Sequence, residues 1–128
     1  MSDFVYCLNT STIRPASFRT KIAAAQRAGY SAVELWHDEV DEFIAAGHTL
    51  ADVRKLLDDA GLKLASMIYL GGWFETTGDV HATALDEVRR RMDQAARLHA
   101  EICIAGPPLG RADRELGVKH YSELLAIG

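Results

Sequence analysis

The spacing of apolar residues changes along the chain in a regular order. FVYCLN (4–9) is a short β-prone run without helical period and reads as a strand. Pro15, Ala16 and Ser17 then prepare a helix start. Phe18, Ile22, Ala25 and Ala28 recur at helical spacing, and Gly29 supplies the stop. SAVELW (31–36) predicts a second strand, and the polar WHDEVDEF stretch behind it reads as a loop. Thr49 with Asp52 resembles a capping box ahead of a helix striped by Leu50, Val53, Leu56 and Leu57, which Gly61 ends. LKLASMIYL (62–70) predicts a third strand and GGWFETTGDVH a second long loop. Leu85, Val88, Met92, Ala95 and Ala96 carry a third helix as far as His99. EICIA (101–105) is a fourth strand, stopped by Pro107 and Pro108. Arg111 to Gly117 reads as a polar link, after which Val118, Tyr121, Leu124 and Leu125 begin a fourth helix.

Strand starts near Phe4, Ala32, Leu64 and Ile102 lie 28, 32 and 38 residues apart, room each time for a helical crossover. Such crossovers make parallel neighbours, so the class is α/β. An open doubly wound sheet would usually place a glycine-rich phosphate loop after its first strand, whereas NTSTIRP contains no glycine. Short turns before strands and long, chemically varied loops after them fit a TIM-type (β/α) barrel. At this repeat eight units need about 250 residues, and the chain has 128. Residues 1–128 therefore read as four βα units, the N-terminal half of an eight-stranded barrel. Either the chain is a fragment of a longer protein, which is the reading favoured here, or two copies pair as half-barrels into a homodimer through exposed barrel edges.

Composition narrows the function classes. A hydrophobic share of 48 % with 25 % charged residues fits one globular domain. The formal charge of −4 argues against a nucleic-acid partner. Arg89, Arg90 and Arg91 sit among Asp86, Glu87 and Asp93 in a helical pattern and read as a salt-bridged face. MSDFVYCLN shows no basic leader followed by a long apolar run, and no stretch approaches the ~20 apolar residues of a membrane span. A cytoplasmic protein with no membrane association is expected, with Cys7 and Cys103 as buried free thiols.

Candidate chemistry gathers at the strand ends. Glu34, near the end of an apolar strand, is placed to face the barrel mouth, where binding groups of this architecture collect; the alternative is an architectural ion pair inside the barrel. His37 follows on the same segment beside Asp38 and Glu39. Asn9 ends the first strand and could donate to a hydroxyl-rich ligand. Tyr69 and Trp73 flank Gly71 and Gly72, where an aromatic wall could pack on a sugar ring, as could Trp36. Glu34, His37, Asn9, Tyr69 and Trp73 are the expected substrate-binding residues; no catalytic residue and no metal ligand is assigned. His48, His81, His99 and His120 read as structural or solvated. No nucleophile elbow, zinc-protease motif or phosphate loop occurs.

The segments CLNTSTI, RAGYSAVELW, DAGLKLASM and AEICIAGPP resemble the N-terminal half of sugar phosphate isomerase/epimerase proteins of the xylose isomerase-like TIM barrel superfamily. The nearest types are the inosose isomerase-like and hydroxypyruvate isomerase-like members. The resemblance implies isomerisation or epimerisation of a small sugar, sugar phosphate or cyclic polyol. Paired glutamates would move the proton, and a divalent metal (Mn, Mg, Zn or Co) would polarise the substrate. In the family the metal ligands come from later strands than these, so the segment alone is expected to be inactive. A second branch, the endonuclease IV-like AP endonucleases, should carry histidine ligands where this chain has Tyr69-Leu70-Gly71-Gly72 and Gly106-Pro107-Pro108. A third reading is a non-catalytic half-barrel module that folds by self-pairing or with a partner chain.

Overall fold

A computed structural model describes residues 4–128; the first three residues of the leader reading lie outside them. The elements are β1 (Cys7–Asn9), a 3-10 turn (Thr10–Ile13), α1 (Phe18–Arg27), β2 (Ala32–Trp36), α2 (His37–Ala45), α3 (Leu50–Asp59), β3 (Lys63–Leu70), α4 (Gly78–Arg97), β4 (Cys103–Ala105) and α5 (Arg114–Ile127). The four strands form one sheet in the order β1-β2-β3-β4, and every pairing is parallel. Strand order following chain order, with a helical crossover at each step, is the arrangement of half a (β/α) barrel.

Alternation along the strands separates two faces. Val33, Leu35, Leu64 and Met67 turn toward the helices and join Ile22, Ala25, Val40, Phe43, Val53, Leu57, Ala95 and Leu98 in one apolar core. A smaller cluster of Leu70, Trp73, Val88 and Leu124 seats the last βα unit. On the opposite, concave face lie Asn9, Glu34 and Ser66, which are register partners on adjacent strands. The register shifts between Val33 and Glu34, so that Ala65 is skipped and Ser66 pairs with Glu34. Without this bulge, alternation from Leu64 would turn Ser66 toward the helices.

WHDEVDEF is not a loop. It forms α2, because His37, Val40 and Phe43 fall three residues apart on one buried face and the Glu39 carboxylate accepts from the Trp36 backbone N–H at 3.0 Å. The second repeat thus carries two helices. β1 and β4 are shorter than expected, three residues each. α5 starts inside the expected polar link, where Asp113 caps it by accepting from the Leu116 N–H at 3.1 Å. Gly117 belongs to that helix, and a Cβ there would lie 2.2 Å from Phe74 Cζ. The arginine run is salt-bridged as expected, and it also clamps helices: Arg90 reaches Asp41 at 2.7 Å and Arg91 reaches Asp38 at 2.6 Å, joining α4 to α2. Both cysteines are free, but neither is fully buried as expected: Cys7 is exposed and Cys103 half-buried, β1 and β4 both being edge strands. No helix among the described residues is long and apolar enough to cross a membrane.

Candidate functional site

Glu34 stands at the centre of the concave face, half-buried. One carboxylate oxygen accepts from Asn9 Nδ2 at 2.8 Å, and the other accepts from the Ser66 hydroxyl. Obligate donors settle the Asn9 amide. The Ser11 backbone N–H at 2.9 Å and Trp36 Nε1–H at 3.1 Å both donate to Asn9 Oδ1, so its nitrogen must face Glu34. Three adjacent strands are in this way wired at one level, Asn9 to Glu34 to Ser66, with Trp36 joined through Asn9. The Arg14 guanidinium lies 5.7 Å from the Trp36 ring centroid, within cation–π reach. A cleft of about 280 Å³ opens beside them, lined by Ser11, Arg14, Lys21, Trp36, Asp38, Glu39 and Glu42.

A second layer holds this rim in place. Lys21, 6 % exposed, donates to Glu39 at 2.7 Å. The same carboxylate takes the Trp36 N–H and faces the fully buried Thr10 hydroxyl. α1, α2, β2 and the turn after β1 therefore meet at one buried ion pair. The partner of Glu34 is not a cation: its two oxygens are held by an amide and a hydroxyl, which leaves it available to a neutral, hydroxyl-bearing ligand.

The structure does not bring His37 to this cluster. As the first residue of α2 it turns inward, fully buried, with Nδ1 2.6 Å from Gln94 Oε1. Gln94 Nε2 donates to Asp41 at 2.7 Å, which fixes the amide and puts the imidazole hydrogen on Nδ1. Nε2 is then a bare lone pair, buried without a partner. Burial pushes the His37 pKa down, against the Gln94 hydrogen bond that favours the charged ring, while Arg91 adds to the depression. Tyr69 fastens β3 to the segment after β4: its hydroxyl lies 2.9 Å from both the Gly106 and Pro107 carbonyl oxygens. Trp73 is 2 % exposed and packs in the smaller core, with Nε1 donating to the Leu70 carbonyl at 2.8 Å. Buried in that core, it also lines, with Phe74, Gly106, Pro107 and Tyr121, a cavity of about 450 Å³ beside the end of β4.

The concave face does not make a metal site by itself. Glu34 is its one carboxylate among the described residues in this cluster, and Asn9 and Ser66 are weak ligands for a lone cation. On the helical layer, by contrast, His81, His120 and Glu123 place ligand atoms within 4.8 Å of one another. Sequence reasoning missed Ser66, Thr10 and the Lys21–Glu39 pair. A serine inside the apolar LASMIYL run carried the same signal as Glu34 inside SAVELW.

A profile of the xylose isomerase-like TIM barrel family matches residues 22–127. The chain belongs to that family. Several solved structures superpose on it. The IolI protein with a bound zinc atom has a TM-score of 0.83 at 18 % identity, over 97 % of this chain and 47 % of its own. D-psicose 3-epimerase in the presence of D-fructose has a TM-score of 0.71 at 18 % identity, over 97 % of this chain and 48 % of that one. A sugar phosphate isomerase/epimerase from Parabacteroides distasonis has a TM-score of 0.66 at 20 % identity, over 99 % and 46 %. This xylose isomerase-like chain thus spans just under half the length of these relatives. No curated protein matches its sequence.

Proposed function

We propose that this chain supplies the first half of a barrel that isomerises or epimerises a small sugar, sugar phosphate or cyclic polyol. The observation that carries the reading is Glu34, held on the concave face by Asn9 and Ser66 in the company of Trp36. Such a set, an acceptor carboxylate with an amide, a hydroxyl and an indole edge, suits a ligand made of hydroxyl groups. Glu34 would accept a substrate hydroxyl and Trp36 would border the ring. The sugar relatives among the superposed structures support the substrate class. Ligands for the divalent metal expected in a complete barrel would come from outside this concave cluster, so no step is routed through a metal here.

A partner must cover the sheet edges and the concave face, either four further βα units in the same polypeptide or a second copy. Ile102 and Ile104, 55 % and 39 % exposed on the last strand and its approach, are the apolar surface such a partner would bury.

The test is solvent deuterium incorporation next to the carbonyl of D-fructose, followed by proton NMR with manganese or magnesium present. The chain alone should give none. Joined to the C-terminal four units of a family barrel, it should exchange, and Glu34→Gln should raise KM at least tenfold while circular dichroism stays unchanged. Turnover by the isolated monomer, or a KM indifferent to Glu34→Gln, would overturn the reading.

A further inference from the structure

Away from the concave face, His81 in the first turn of α4 meets His120 and Glu123, one turn apart on α5. The two imidazoles stack with centroids 3.7 Å apart and planes at 24°. Their hydrogens can be counted. His120 Nδ1 lies 3.1 Å from the Phe74 carbonyl, which can only accept, so Nδ1 carries hydrogen and Nε2 keeps its lone pair. Thr76 donates its one hydroxyl hydrogen to the Gly72 carbonyl at 2.8 Å. It therefore accepts from His81 Nδ1 at 3.1 Å. His81 Nε2 then faces a Glu123 oxygen at 2.6 Å. The ligand atoms of two anchored imidazoles and a carboxylate converge, a cation taking the place of the hydrogen shared between His81 Nε2 and Glu123, and each histidine has the outer oxygen partner that orients a metal-ligating ring.

We propose that His81, His120 and Glu123 form a binding site for a zinc-class divalent cation that clips α5 to α4. Two nitrogens and one carboxylate oxygen match a tetrahedral zinc with water in the fourth position. Ligand atoms about 2.0–2.2 Å from the metal stand roughly 3.4 Å apart at tetrahedral angles, so the Glu123 oxygen must withdraw from His81. It has room, since the Glu123 side chain is 39 % exposed. His120, 4 % exposed, stays fixed. The site lies on the helical layer, where it would tie the Gly72–Thr76 turn and two helices together, independently of any sugar chemistry.

The competing account is a plain His81–Glu123 ion pair with His120 stacked beside it. Calorimetric titration of the untagged chain with Zn²⁺, and visible spectroscopy with Co²⁺, separate the two. The proposal expects one equivalent bound, intense low-symmetry Co²⁺ bands that Zn²⁺ abolishes, and a rise in Tm with zinc. Glu123→Gln should weaken binding at least tenfold. Thr76→Val, which removes no ligand, should weaken it by about 10–100-fold, and His48→Asn should leave it unchanged. Absence of stoichiometric binding, or affinity indifferent to both Glu123→Gln and Thr76→Val, would overturn it. If His81→Asn alters the circular dichroism, the half-exposed Glu123→Gln decides. None of these readouts involves turnover, so this result and the sugar assay fail or succeed separately.

Discussion

Removing Glu39 should cost more than removing its partner Lys21, and removing both should cost less than the sum. Lys21 and Glu39 have side chains 8 % and 11 % exposed and sit 2.7 Å apart. Glu39→Ala strands a buried ammonium, a change worth about 3–5 kcal/mol. It also releases the Trp36 N–H at the start of α2, a capping loss of about 0.5–2 kcal/mol. The sum, roughly 3.5–7 kcal/mol, is a large part of the 5–15 kcal/mol typical of a whole domain. Lys21→Met leaves Glu39 with the Trp36 N–H and the Thr10 hydroxyl as donors. Its cost should be about 2–3 kcal/mol, the lower end for an orphaned charge still hydrogen-bonded. The double variant Lys21→Met with Glu39→Ala has no stranded charge, so the coupling energy should be at least about 2 kcal/mol. Urea unfolding followed by tryptophan fluorescence measures all three, with unchanged m-values confirming a common unfolded state. Single losses under about 1 kcal/mol that simply add would refute the reasoning, because that is the behaviour of a solvent-screened surface pair.

Three further outcomes follow from other parts of the molecule. Gly117→Ala, which in an open helix would stabilise by about 1 kcal/mol, should instead destabilise by about 1–3 kcal/mol through the clash with Phe74. Phe74→Leu in the same chain should recover part of the loss in urea unfolding. The pKa of buried His37 is depressed, so below about 6.5, its ordinary value, the unfolded chain takes up a proton that the folded chain does not. Stability should fall with decreasing pH from there by at most about 1.4 kcal/mol per unit, and His37→Gln should flatten that slope. Hydrogen bonds from Arg90 and Arg91 hold Glu87 down to about 2. Carboxylates paired in this way contribute stability above the unfolded value of 4.5, and that contribution should be lost only as pH falls toward 2, visible as a separate acid transition absent in Glu87→Gln.

The sequence already announced the order of strands and helices, because period-2 and period-3.6 apolar patterns report directly which face of each element is buried. It also placed Glu34 on the concave face, since a carboxylate inside AVELW has nowhere apolar to go. The helical nature of α2 was hidden by its five polar residues among nine, although His37, Val40 and Phe43 repeat at helical spacing. Ser66 depended on a bulge, which is a property of two paired strands rather than of one segment. Trp73 and His37 show the remaining limit. Patterning tells that a side chain is near a strand end, while the covering neighbours, Leu70 in one case and Gln94 in the other, come from packing. The meeting of His81, His120 and Glu123 likewise joins two helices about 40 residues apart in the chain.

The central geometric claim is that the face bearing Asn9, Glu34 and Ser66 becomes the inside of a closed ring. Cys7 lies two residues before Asn9 on that face, exposed in the half-barrel, and is a reporter in a Cys103→Ala background. Its rate of reaction with Ellman's reagent should drop at least tenfold when the chain is joined to four further βα units. An unchanged rate in a folded, full-length barrel would contradict the account.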